Sequence, residues 1–143
     1  MTKNLSNILL GFDFGMKRIG VAVGQTVTKT ARPLETLKAK LGLPQWDRLN
    51  KIVQKWQPDA FVVGIPLNMD GTEQPLTANA KHFAQMLETR YQIPVYEMDE
   101  RLSTKDARER IFNEGGFKAL QDGQVDSVAA QLILQNWLIQ QKE

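Results

Sequence analysis

Three acidic residues stand where the hydrophobic pattern leaves a carboxylate out of place. Asp13 ends an apolar run in which Leu9, Gly11 and Asp13 share one face of a strand and Leu10, Phe12 and Phe14 the other. Glu100 stands just past Met98, where a parallel neighbour of that first strand would end, so the two carboxylates can come close in space. Asp126 opens a helical pattern whose positions three, four, seven and eleven residues on are Ala129, Ala130, Ile133 and Trp137, an apolar stripe facing the core. An ionised carboxylate on such a stripe is costly unless it is paired or bound to metal. Three converging acids repel one another, and a hard divalent cation relieves that repulsion; magnesium or manganese suits the all-oxygen donor set. Two such ions about 4 Å apart can activate water and stabilise the leaving oxygen of an in-line phosphodiester cleavage. Taken singly, each acid has an ordinary reading as well. Asp13 can be a cap or salt-bridge partner, Glu100 can share a solvated turn with Asp99 and Arg101, and Asp126 can complement the positive end of its helix.

The rest of the inventory suits that chemistry. The chain has no cysteine, which excludes disulfides, thiolate metal sites and cysteine nucleophiles. Its one histidine, His82, falls beside Phe83 on a helical pattern and reads as a surface or helix-edge residue. In the segment DFGMKRIG, Lys17 and Arg18 occupy a turn next to Asp13, where they can hold a substrate phosphate or simply decorate a charged hairpin. Asn68 and Asp70 lie in the loop NMDGTEQ on the same presumed edge, and with Arg101 they are candidate substrate contacts; Asp-Gly there is also plain turn chemistry. Trp46 and Trp56 are at core spacing and read as packing rather than base-stacking residues.

Positioning these groups requires a sheet. Ile8 to Phe14 and Ile19 to Gly24 read as a β-hairpin around GMKR, followed by an extended stretch from Thr30 to Leu37 that Pro33 confines to an edge or an irregular end. Trp46, Leu49, Val53 and Trp56 mark one face of a first helix, ended by Gln57-Pro58. Ala60 to Ile65 is a continuous apolar run, the pattern of a strand buried on both faces. Leu76, Ala80, Phe83, Leu87 and Tyr91 predict a second helix, and Pro94 introduces a strand from Val95 to Met98. Ser103 with Asp106 resembles a capping box for a third helix to about Asn113, stopped by Gly115-Gly116, and a fourth helix is predicted from about Gln124 to Gln140. The order β-β-β-α-β-α-β-α-α predicts an α/β fold, a mixed five-stranded sheet with helices on both faces. In such sheets chemistry sits at the carboxyl ends of the central strands.

At 143 residues, with 42% hydrophobic and 24% charged residues and no repeat or linker composition, one domain over 1–143 is expected. The apolar N-terminal run meets an Asp within a few residues, so a signal peptide or membrane span is not expected and the cytoplasm is. A formal net charge of +2 is compatible with a nucleic-acid partner without requiring one.

Four segments in order, GFDFGMKRIGVAVG, VVGIPLNMDGTEQP, DERLST and VDSVAAQLIL, cover nearly the whole chain and resemble the bacterial YqgF (RuvX-like) family. Its members are regarded as Holliday-junction resolvase relatives and as nucleases that process the 5′ end of pre-16S ribosomal RNA. The resemblance implies a ribonuclease H-like fold, with Asp13, Glu100 and Asp126 as catalytic acids and ligands of Mg2+ or Mn2+. It also implies nucleic-acid partners, pre-16S rRNA or branched DNA, and an association with ribosomal particles, as a monomer or homodimer with no membrane. Two rivals belong to other classes. An ATP-binding phosphotransferase of the actin and sugar-kinase type clamps its nucleotide between two domains, and this chain offers one. A non-catalytic RNA-binding assembly factor would have no use for buried acids, which are a liability against polyanions.

Overall fold

The computed structural model describes residues 7–102 and 125–141. Strands β1 (Ile8–Asp13) and β2 (Arg18–Gln25) form the expected antiparallel hairpin, with Asp13 opposite Gly20. β3 (Thr30–Lys40) pairs antiparallel with β2 and outruns its predicted end at Leu37. Pro33 does not end this strand: it lies opposite Ala22, at a register shift between Val21 and Ala22 that puts Leu34 out of register. A bulge is where a strand tolerates a residue with no N–H to give. A two-residue strand, β4 (Leu43–Pro44), pairs with Ala39 and Lys40, making six strands where five were expected. No run of alternating residues announces so short a strand; it follows from the tight turn at Leu41 and Gly42, both at positive φ.

Helix α1 (Trp46–Trp56) ends as predicted, on Gln57 in the left-handed conformation with its N–H donating to the Val53 carbonyl. β5 (Ala60–Ile65) is buried along its whole length. α2 (Pro75–Tyr91) begins with a reciprocal cap between Gln74 and Thr77, and the Thr77 hydroxyl also donates to the Pro66 carbonyl, tying the helix to the end of β5. β6 (Val95–Asp99) then runs parallel to β5, which runs parallel to β1. The sheet order is β4-β3-β2-β1-β5-β6. The strand that delivers Glu100 is therefore parallel to β1 but not its neighbour, since β5 lies between them. The third predicted helix, with its Ser103–Asp106 capping box and Gly115-Gly116 stop, lies outside the described residues.

Alternation divides the sheet between two cores. Leu10, Phe12, Val21, Leu37, Phe61 and Val63 point toward α1 and α2, where Leu49, Phe83 and Leu87 meet them. Leu9, Ala22, Val62 and Met98 point the other way, against Ala130, Ile133, Leu134 and Leu138 of α3 (Val125–Gln140). α3 is more than an amphipathic surface helix: Ser127, Gln131, Gln135 and Asn136 are buried along with its apolar residues. Gln135 accepts the Ala31 N–H at 2.8 Å and Gln131 donates to the Ala31 carbonyl at 2.9 Å, so α3 side chains take the place of a neighbouring strand beside β3. Burying those amides without such partners would cost about 1–3 kcal/mol each. Among the described residues no helix is long and apolar enough to cross a membrane.

Candidate active site

The three acids reach one end of the sheet by three routes. Asp13 is the last residue of β1, Glu100 begins a short 3-10 turn, Glu100–Leu102, directly after β6, and Asp126 lies in the first turn of α3. Two glycines allow the approach. A Cβ on Gly20 would fall 1.9 Å from the Asp126 carbonyl oxygen, so the start of α3 rests on bare backbone of β2, one strand from Asp13. A Cβ on Gly64 would fall 2.8 Å from Glu100 Oε2, so the Glu100 side chain lies across β5 in the space a side chain there would fill. That vacancy lets the acid just after β6 reach toward β1 despite the intervening strand.

The electrostatics record the convergence. The Asp13 carboxyl is pushed up to about 7, first by burial and then by the negative charges of Glu100 and Asp126. Glu100 is raised too, by burial and by its neighbour Asp99. Asp126 is ion-paired, with Arg18 Nε 3.0 Å from its Oδ2. An all-oxygen set in which the charges of Glu100 and Asp126 help keep Asp13 protonated suits a hard divalent cation, which removes the repulsion. Among the described residues, no three carboxylates stand close enough together to hold a metal ion as they are placed.

The other expected contacts divide into two sets. Lys17 and Arg18 are exposed at the hairpin turn, and among the described residues Arg18 alone of the two engages an acid. Asn68, Asp70 and Arg101 are built into their loop. The Asn68 amide donates to Thr72 Oγ1 at 2.9 Å, and Asp70 Oδ1 accepts from the Thr72 N–H and hydroxyl at 3.0 and 2.6 Å, which holds Asp70 below its usual range. Gly71, at φ +90°, closes the turn. Arg101 bonds both oxygens of Asp99 and donates to the Met69 carbonyl at 3.2 Å, latching this loop beside Glu100. His82 is exposed on α2, as expected. Trp46 and Trp56 are half-buried against the core, under Arg90 at 4.4 Å and Arg32 at 5.2 Å, and so serve packing. What the sequence reading missed was the enabling role of Gly20 and Gly64. Their signal was present: glycines recur on the strand face that also carries Asp13.

Comparison with known proteins yields a consistent set. The family model described as RuvX, Holliday junction resolvase, matches residues 7–140. A relative from Glaesserella parasuis is 53% identical over 96% of this chain and 99% of its own length. Another, from Pectobacterium carotovorum, is 54% identical over 92% of this chain and 95% of its own. Both are provisionally named pre-16S rRNA nuclease. Among solved structures, the RuvC of T. thermophilus in complex with Holliday junction substrate aligns with TM-score 0.53 at 18% identity, covering 89% of this chain and 91% of that one. The fowlpox virus resolvase with its junction DNA aligns with TM-score 0.57 at 10% identity, covering 92% and 97%. These two establish the fold: a mixed sheet with helices on both faces, of the RuvC and ribonuclease H-like kind.

Proposed function

Because this chain belongs to the RuvX family, we propose that it is a metal-dependent nuclease that hydrolyses nucleic-acid phosphodiesters, processing the 5′ end of pre-16S rRNA in the cytoplasm as a single domain. The observation that carries the reading is the gathering of Asp13, Glu100 and Asp126 from three separate elements, where burial first and then the charges of the other two push Asp13 up to about 7. A fold does not accumulate such a cost without a use for it. The relatives more than half identical over nearly the whole chain supply the substrate class.

In this reading Asp13, Glu100 and Asp126 would hold Mg2+ or Mn2+, which supplies a Lewis acid for the phosphoryl oxygen and lowers the pKa of the attacking water. The chain's own residues do the rest. Arg18 neutralises Asp126 until substrate arrives, and its guanidinium then turns to a phosphate oxygen, where a planar fork of donors fits well. Lys17 adds charge at the same turn. Arg101, Asp99, Asn68 and Asp70 keep the loop after β5 rigid as one wall of the cleft, so that a scissile phosphate is held in place rather than chased.

A second reading, a DNA-junction resolvase, is favoured by the family's description and by the two junction-bound neighbours of the same fold. It requires two sites acting together, hence a homodimer. Incubating the protein with a labelled precursor rRNA fragment and with a four-way DNA junction, each with Mg2+, Mn2+ or chelator, separates the two. Metal-dependent cutting of the RNA at its 5′ flank supports the first reading, and paired nicks in the junction alone support the second. Cutting of neither, even with ribosomal particles added, contradicts both.

A further inference from the structure

Positive charge leaves the acid site along one face of the sheet. Gly20, opposite Asp13, lies under the first turn of α3, so Arg18, two residues earlier on β2, belongs to that same face; its pairing with Asp126 confirms this. Strand register then sets Lys38 directly beside Arg18 on β3, and Lys40 follows two residues on. The alternate residues Leu37 and Ala39, on either side of Lys38, pack into the opposite core. Lys38 and Lys40 are exposed, and among the described residues neither forms an ion pair. Glu35, the only acid on β3, is turned to the other face, held by Arg48 at 2.7 and 2.9 Å. Like charges directly opposite on neighbouring strands are destabilising. Arg18 offsets part of that cost by pairing with Asp126, whereas Lys38 is left facing solvent at the mouth of the candidate site.

We propose that Arg18, Lys38 and Lys40 form a track for the phosphate backbone of the RNA strand, carrying it from the acids toward the β4 edge of the sheet. The proposal rests on the nuclease reading of the acid site. Lys38 and Lys40 are about 6.8 Å apart along an extended strand, on the scale of one nucleotide step, so each can serve a successive phosphate. Their contacts are to phosphate, which fixes path and register but reads no base.

The test uses the full chain carrying Lys38→Gln and Lys40→Gln together, with a labelled precursor rRNA fragment. Binding is measured in chelator across a salt series, and single-turnover cleavage in Mg2+ at saturating RNA. Each lost phosphate contact on a single strand lowers the slope of log affinity against log salt by about 0.7, so the slope falls by about 1.4 and an about fourfold rise in salt costs the variant about sevenfold less affinity than wild type. The saturated cleavage rate stays within about twofold of wild type, since the acids are untouched. Lys51→Gln with Lys55→Gln, on α1, serves as the control and leaves the slope unchanged. An unchanged slope in the β3 variant, or an equal fall in the control, overturns the track while wild-type cleavage leaves the nuclease reading standing. Wild type that neither binds nor cuts the RNA overturns the reading and the track with it.

Discussion

Replacing Asp13 by Asn should make the metal-free protein more stable while removing its activity. The wild-type carboxyl is raised from an ordinary value of 3.8 to about 7 by burial and by Glu100 and Asp126. At about 1.4 kcal/mol per tenfold change in proton affinity, ionising it in the fold costs about 4 kcal/mol. Relaxation and water entry bring the expected effect nearer about 2 kcal/mol, or about 6 °C in Tm for a chain of this size. The sign follows from proton counting. Between pH 4 and 7 the folded state holds a proton that the unfolded state has lost, so wild-type stability falls as pH rises through this window and levels off above about 7. Asn has no proton to lose. The gap between variant and wild type should open from near zero around pH 4 to its full size around pH 8. Urea unfolding of both proteins in chelator across that range measures it, and saturating Mg2+ at the upper end should close the gap by stabilising wild type alone. A gap that is flat with pH, or a variant less stable than wild type at the upper end, would refute the account of an acid buried and crowded by two others.

Other consequences are equally direct. Gly20→Ala drives a methyl group to 1.9 Å from the Asp126 carbonyl oxygen, so the start of α3 must shift; stability should fall by about 1–3 kcal/mol and cleavage by considerably more than the unfolded fraction explains. Arg18→Gln frees Asp126, so Mn2+ should bind more tightly to the RNA-free protein in a calorimetric titration while KM for RNA rises; weaker Mn2+ binding would show that Arg18 supports the acid cluster instead of competing for it. Gln135→Leu leaves the Ala31 N–H and the Lys29 carbonyl without their partner, and chemical unfolding should show a loss of about 1–3 kcal/mol with Mg2+ affinity unchanged.

Much of this molecule was legible from residue order because local and tertiary preferences agree. The hairpin, the doubly buried Ala60–Ile65 strand and both helices between the later strands follow from period and from Pro and Gly punctuation. β3 was only half legible: Pro33 reads as confining the strand to an edge or an irregular end, while the fold absorbs it in a bulge and carries the strand on to Lys40. β4 exists only because a tight turn folds Leu43 and Pro44 back onto Ala39 and Lys40, an event no propensity encodes. The acids were visible as carboxylates in apolar surroundings, and the structure brings all three to one end of the sheet. Their means of approach was not visible, because it depends on which strand separates β1 from β6 and on the missing side chain of Gly64. The burial of Gln131 and Gln135 was equally hidden: a polar residue looks solvated until the backbone it serves is known.

The most direct test of the central claim is single-turnover cleavage of a labelled precursor rRNA fragment by wild type and Asp13→Asn, at saturating protein, with Mg2+, Mn2+ or chelator. The account predicts cutting by wild type with either metal and none with chelator, and a variant that binds the RNA at least as tightly yet cuts on the order of a thousandfold more slowly, the scale of losing one group that stabilises transition-state charge. Cleavage by Asp13→Asn at the wild-type rate, or wild-type cleavage indifferent to chelator, would contradict it.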